Sequence, residues 1–120
     1  MKKVLILEDE RDYVNVLTQL LEPEGFKVLS ANTVHEGLNI LEMLTPDLMI
    51  VDWNLPDGTG IEFVKAVRAQ KKFKKVRIVM NSIRDAESDQ LAAYLERVDF
   101  YFTKPINPEV FLGKIKKLLE

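Results

Sequence analysis

The stretch LMIVDWNLPDGTG, residues 48 to 60, joins four apolar residues directly to the carboxylate of Asp52. A continuous apolar run of this kind is typical of a strand that is covered on both faces, as in a parallel sheet. The residues after it are rich in proline, aspartate and glycine, which indicates a turn. The earlier run VLILEDE, residues 4 to 10, has the same form, because its apolar part ends in three acids. Two buried strands that each end in acid require a physical explanation.

The whole chain alternates short apolar runs with longer segments of helical period. We predict strands at residues 3–7, 27–31, 48–52, 77–80 and 100–103. The segments between and after them carry apolar residues at spacings of three and four, which is typical of helices packed on a core. Five alternating strand–helix units predict right-handed crossovers and a doubly wound α/β sandwich around a parallel sheet. We expect one domain over residues 1–120, because no linker, repeat or low-complexity tract divides the chain.

Composition limits the classes of function. The 120 residues are 47% apolar and 30% charged, which is ordinary for a globular protein with one core. The net charge is −2, from 17 basic and 19 acidic residues, so the surface is not basic overall. This balance argues against a general nucleic-acid-binding surface, and we expect no direct nucleic-acid binding. Cysteine is absent, which excludes disulfides and thiolate ligands and fits a cytoplasmic location. No apolar run approaches the roughly 18 residues of a membrane span, so we expect no membrane insertion.

Polar residues follow the predicted strands at the point where each strand ends. In an open α/β sheet, ligands bind beyond the carboxyl ends of the strands, near the place where strand order reverses. Clustered carboxylates there would repel one another, and a hard cation such as Mg²⁺ removes that repulsion. A lysine and a hydroxyl nearby would suit phosphate oxygens. The pattern predicts a site for phosphoryl chemistry with Asp52 as the nucleophile, built from Glu8, Asp9, Asp52, Ser82 and Lys104.

Four motifs carry a resemblance to a known family: LILEDE, MIVDWNLPDGTG, VMNSIR and FYFTKP. Together they resemble the receiver domain of two-component response regulators, including chemotaxis-type and sporulation-type receivers, over essentially the whole chain. The resemblance implies a flavodoxin-like sheet of order 2-1-3-4-5. It also implies a phosphorylation-dependent switch in which Asp52 accepts a phosphoryl group from the phosphohistidine of a histidine kinase or phosphotransfer protein. Such a domain is a regulator that assists only its own phosphorylation and dephosphorylation, and is not otherwise an enzyme.

The resemblance further implies a set of metal ligands. Asp9 would bind Mg²⁺ directly, and Glu8 would assist through water. Asp52 and the backbone carbonyl of Asn54 would complete the protein's share of the ligands. Lys104 would pair with the phosphoryl group or, before phosphorylation, with Asp52.

The switch residues implied by the resemblance are Ser82 and Tyr101. Ser82 would move to bond a phosphoryl oxygen, and Tyr101 would respond by turning inward. The face formed by the fourth helix, fifth strand and fifth helix would then change for a downstream effector protein or output domain. Pro105 would hold the loop of Lys104, often through a cis bond in this family. We expect a monomer or a weak dimer.

The chain departs from the family pattern at three positions. Ile83 stands where a small residue is usual, and its bulk would shield the phosphoryl site from small donors and from water. Arg97 and Val98 replace a common Gly-Ala pair, so the turn before the fifth strand is expected to differ. Two other functions remain open at this point. One is a pseudo-receiver that binds partners without phosphorylation. The other is a small Mg²⁺-dependent phosphatase, although Leu55 stands where the haloacid-dehalogenase motif needs its nucleophile.

Overall fold

The computed structural model describes residues 1–120 and contains one parallel sheet of five strands. The strand order is β2-β1-β3-β4-β5, and each pair of neighbours is parallel. This confirms the predicted fold class and strand order. The strands are β1 Lys3–Leu7, β2 Lys27–Ala31, β3 Leu48–Val51, β4 Arg77–Ser82 and β5 Phe100–Thr103.

Five α-helices alternate with the strands, as the helical spacing predicts. Single turns of 3₁₀-helix follow the first and third helices, at Glu22–Glu24 and Lys71–Phe73. A short antiparallel ladder between Asn54–Leu55 and Gly58–Thr59 shapes the loop after β3. None of the helices has the length and apolar content needed to cross a bilayer. The helices are α1 Arg11–Leu21, α2 Val34–Met43, α3 Gly60–Arg68, α4 Glu87–Leu95 and α5 Pro108–Leu118.

Successive residues of the central strands bury their side chains on opposite faces of the sheet. In β1, Leu5 and Leu7 pack with residues of α2, α3 and α4. Val4 and Ile6 pack instead with residues of α1 and α5. All four side chains are at most 1% exposed. The strands are continuously apolar because both faces of the sheet are covered, and only the strand ends are free to carry polar groups.

Two strand ends differ from the sequence prediction. The third strand was predicted to include Asp52, but β3 ends at Val51, and Asp52 keeps only a backbone bond of 3.0 Å from its N–H to the Leu7 carbonyl. The fourth strand was predicted to end at residue 80, but β4 continues to Ser82 because Asn81 and Ser82 pair with the last two residues of β5. Asp52 therefore lies just beyond the sheet, and Ser82 lies within it.

The turn before β5 carries the one non-glycine residue of positive φ in the chain. Arg97 has a φ of 66°, in the left-handed region that glycine adopts most easily. Two hydrogen bonds support this turn, from Arg97 Nη2 to the Arg68 carbonyl at 3.2 Å and from Arg68 Nε to the Arg97 carbonyl at 3.1 Å. Val98 is buried. Arg97 and Val98 thus form a turn with a left-handed backbone at Arg97, and the side chains of Arg97 and Arg68 hold it in place through hydrogen bonds.

Candidate functional site

Three carboxylates meet at the carboxyl edge of the sheet. One oxygen from each of Glu8, Asp9 and Asp52 lies within 4.8 Å of the other two. Strands β1 and β3 are neighbours, and the pairing of Leu7 with Val51 brings the residues after them to the same level. Glu8 is buried and Asp9 is exposed. A donor set made of carboxylate oxygens fits a hard divalent cation such as Mg²⁺.

Lys104 places an ammonium group beside two of these carboxylates. Its Nζ lies 2.7 Å from Glu8 Oε1 and 3.7 Å from Asp52 Oδ2. The three side chains are only 13%, 3% and 12% exposed, so solvent screens their charges weakly. The expected pairing with Asp52 is present, but the shorter contact is to Glu8. The Lys104–Pro105 peptide bond is cis.

Burial perturbs the ionisation of two of the carboxylates. Desolvation raises the pKa of Glu8, and hydrogen bonds from Lys104 and from the Glu10 N–H only partly oppose that effect. Desolvation likewise raises the pKa of Asp52, against the opposing charge of Lys104. Negative charge is therefore held here at a free-energy cost that one lysine does not fully offset. Additional positive charge at the site would relieve that cost.

The loop after β3 fixes the orientation of Asp52. The Trp53 N–H donates to Asp52 Oδ1 at 2.8 Å, and the Gly60 N–H donates to the Trp53 carbonyl at 2.7 Å. A β-carbon on Gly60 would overlap the Asp52 carbonyl oxygen, so the close approach requires glycine. Asn54 is exposed in the short ladder, and the role of its carbonyl as a metal ligand stays a prediction.

The same loop is tied to two helices. The Thr59 side chain and Glu62 form a capping box at the start of α3. The Asp57 carboxylate accepts hydrogen bonds from the backbone N–H groups of Val34 at 2.8 Å and His35 at 3.0 Å, at the start of α2. These contacts hold the second half of the loop against the starts of α2 and α3.

The two predicted switch residues meet at the backbone of Arg84. Ser82 is fully buried, and its Oγ accepts a hydrogen bond of 3.2 Å from the Arg84 N–H. The Tyr101 hydroxyl donates to the Arg84 carbonyl at 2.7 Å, and the ring is 5% exposed. Tyr101 thus has the inward position in this structure, and burial raises the pKa of its hydroxyl. Ile83 is 72% exposed, and its shielding of the phosphoryl site from small donors and water stays a prediction.

The predicted site residues did not include three further neighbours of the site: Tyr13, Asn81 and Arg84. The Lys104 ammonium lies 4.3 Å from the centroid of the Tyr13 ring, and Asn81 Nδ2 donates a hydrogen bond to the Tyr13 hydroxyl. Burial raises the pKa of Tyr13 to about 12, so its hydroxyl is neutral near physiological pH. The Arg84 guanidinium lies 5.0 Å from the Trp53 ring centroid. The available signal was the polar Asn81 after three apolar residues of a buried strand.

Known proteins match this chain over nearly its whole length. Residues 4–116 match the family model described as response regulator receiver domain. Over 118 residues the chain is 30% identical to the phosphate regulon transcriptional regulatory protein PhoB of Escherichia coli, covering 98% of this chain and 52% of PhoB. Over 105 residues it is 40% identical to the KDP operon transcriptional regulatory protein KdpE of Escherichia coli, covering 88% of this chain and 45% of KdpE. The chain thus spans about half the length of these curated relatives.

Solved structures show the same similarity at the level of the fold. The chemotaxis response regulator CheY4 of Vibrio cholerae is 30% identical, with a TM-score of 0.92 and coverage of 99% of both chains. A CheY-like receiver domain protein of Methanospirillum hungatei is 29% identical, with a TM-score of 0.92 and coverage of 99% of this chain and 94% of that chain. The family model, the curated relatives and the fold agree with the resemblance seen in the motifs. The chain belongs to the family of response regulator receiver domains.

Proposed function

We propose that this chain is a phosphorylation-dependent switch in which Asp52 accepts a phosphoryl group from the phosphohistidine of a histidine kinase or phosphotransfer protein. The observation that carries the proposal is the setting of Asp52, whose carboxylate lies beside those of Glu8 and Asp9 and 3.7 Å from the ammonium of Lys104. Family membership supports it. The chain would act in the cytoplasm as a regulator that assists its own phosphorylation and dephosphorylation.

In the proposed transfer, one oxygen of the Asp52 carboxylate attacks phosphorus. The new O–P bond forms as the P–N bond to the donor imidazole breaks, and the imidazole leaves with the electron pair. The Trp53 N–H fixes the carboxylate through Oδ1. The Lys104 ammonium, 3.7 Å from Oδ2, offsets negative charge on the phosphoryl oxygens. Position and charge supply most of the catalysis in phosphoryl transfer, and these groups provide both.

Magnesium fits the carboxylate cluster, and we propose that it is held by Asp9, by Asp52 and by the backbone carbonyl of Asn54. Bound Mg²⁺ supplies positive charge that neutralises phosphoryl oxygens. Both Glu8 oxygens already accept a hydrogen bond, Oε1 from Lys104 at 2.7 Å and Oε2 from the Glu10 N–H at 3.1 Å. These contacts favour an indirect role for Glu8, through water.

Propagation of the signal would start from the shared contact at Arg84. A hydrogen bond donated by the Ser82 hydroxyl to a phosphoryl oxygen would move the oxygen that accepts from the Arg84 N–H, and the Arg84 carbonyl in turn accepts a hydrogen bond from Tyr101. The adjacent helix α4 exposes apolar side chains at Leu91 (59%) and Leu95 (73%). We propose that this face, with β5 and α5, contacts an effector protein or output domain, with the receiver itself monomeric or weakly dimeric and free of direct nucleic-acid contact.

The first test is the intact mass of the protein after incubation with Mg²⁺ and phosphoramidate. We expect one added phosphoryl group on the wild-type protein. The adduct should not form when EDTA replaces Mg²⁺, and it should not form on Asp52→Asn. Asp12→Asn is the matched control, because Asp12 is an exposed aspartate outside the carboxylate cluster. An absence of any adduct, with phosphoramidate and with a panel of phosphorylated histidine kinases, would refute the proposal and favour a pseudo-receiver.

A further inference from the structure

Asn81 is a polar residue buried in the apolar strand β4. Its side chain is 1% exposed, and the three residues before it, Ile78 to Met80, are fully buried. Its Oδ1 has no hydrogen-bond partner, while its Nδ2 donates to the Tyr13 hydroxyl. Burial of an amide that is only half satisfied lowers stability, and an apolar residue would remove that cost. The hydrogen bond to Tyr13 is the one polar contact of the Asn81 side chain.

Tyr13 connects that bond to the phosphoacceptor site. It lies in the first turns of α1, and its ring centroid is 4.3 Å from the Lys104 Nζ. An ammonium close to the face of an aromatic ring is attracted by the ring quadrupole, and the attraction is stronger where water is partly excluded. The Lys104 side chain is 13% exposed. The ring is therefore a third neighbour of the ammonium, in addition to Glu8 and Asp52.

The ammonium needs such a neighbour because a lysine side chain is long and flexible. The shorter of its two carboxylate contacts is to Glu8, 2.7 Å against 3.7 Å for Asp52, so charge alone favours a position nearer to Glu8. We propose that Tyr13, anchored by Asn81, is a positioning residue that keeps the Lys104 ammonium within reach of a phosphoryl group on Asp52. This inference rests on the proposed role of Asp52 as the acceptor.

The test uses three variants and two measurements. Tyr13→Leu removes the ring, Tyr13→Phe keeps the ring and removes the hydroxyl, and Asn81→Leu removes the anchor. The first measurement is the NMR signal of the Lys104 ammonium-bearing carbon, recorded without phosphoryl mimic. The second is the dissociation constant for beryllofluoride in the presence of Mg²⁺. Phe100→Leu is the matched control, because Lys114 Nζ lies 4.4 Å from the Phe100 ring in a lysine–aromatic contact outside the site.

We expect Tyr13→Leu to shift the Lys104 signal and to weaken beryllofluoride binding roughly two- to thirty-fold, the range that a lysine–aromatic contact supports. Tyr13→Phe and Asn81→Leu should cause smaller changes of the same sign, and Phe100→Leu none. In a Lys104→Met background, Tyr13→Leu should weaken binding no further. An unchanged Lys104 signal in Tyr13→Leu, or an equal loss of affinity in the Lys104→Met background, would overturn the inference.

Failure of the underlying function would look different. If the wild-type protein neither binds beryllofluoride nor gains a phosphoryl group, the proposed function fails, and the Lys104 signal alone then decides whether Tyr13 positions the ammonium. If Tyr13→Leu does not fold, as judged by circular dichroism, Tyr13→Phe and Asn81→Leu decide the inference by the same two measurements.

Discussion

Replacement of Gly60 by alanine should strongly destabilise the protein, because Gly60 lies against the backbone of the proposed phosphoacceptor. An added β-carbon would overlap the carbonyl oxygen of Asp52 and would lie 3.0 Å from its carbonyl carbon and 2.9 Å from Val51 Cγ1. Real β-carbons are essentially never closer than 3.0 Å to such atoms. The obstructing group is backbone, so it cannot rotate away, and the loop or α3 must move instead.

The expected size of the effect follows from this overlap. Overpacking of a well-packed site costs typically 1–3 kcal/mol, and a clash with backbone belongs near the upper end, at about 3 kcal/mol. For a domain of this length, that corresponds to a fall in Tm of about 10 °C. Displacement of the loop should also slow phosphorylation of Asp52, because the Gly60 N–H bond to the Trp53 carbonyl is part of the same contact.

Gly113→Ala is the matched control within the same chain. Gly113 lies inside α5, and a β-carbon there would meet nothing within 4 Å. Alanine is preferred to glycine in a helix by about 0.5–1 kcal/mol, so this variant should be more stable than the wild type. Urea unfolding followed by circular dichroism would compare the two changes, which should have opposite signs. A Gly60→Ala variant within about 0.5 kcal/mol of the wild type would refute the overlap argument.

Three more predictions concern charge and backbone conformation. Burial raises the pKa of Asp52 in the folded protein, so the wild type loses stability as pH rises through that pKa. Asp52→Asn should therefore be more stable than the wild type at neutral pH, and this gain should shrink below the ordinary pKa of aspartate. Urea titrations at several pH values would measure the difference. Lys104→Met leaves Glu8 and Asp52 without their cation and should lower the free energy of unfolding by about 3 kcal/mol at neutral pH. Acidification should restore this stability, because it protonates the two carboxylates. A loss of stability that does not depend on pH would contradict the prediction. Arg97→Gly should exceed Arg97→Ala in stability by about 1 kcal/mol because of the positive φ, and equal melting temperatures would be the contrary result.

The sequence by itself determined the layers of the fold and most of the site's composition. Continuous apolar runs separated by helical segments predict a parallel sheet covered on both faces, because backbone geometry and burial leave few other arrangements. Polar residues after those runs must then gather at one edge, since all parallel strands end on the same side. Glu8, Asp9, Asp52 and Lys104 were identified in this way, and the structure brings them together.

The tertiary structure alone decided how these groups contact one another. Lys104 is closer to Glu8, 96 positions away, than to Asp52, and Asn81 meets Tyr13 across 68 positions. Such contacts depend on strand register and on how α1 packs over the sheet, and no local pattern encodes either distance. The same reason explains why β4 extends to Ser82, since its last pairs exist only where β5 lies beside it. Local residue patterns determine which groups reach the edge of the sheet, and long-range packing determines which of them pair.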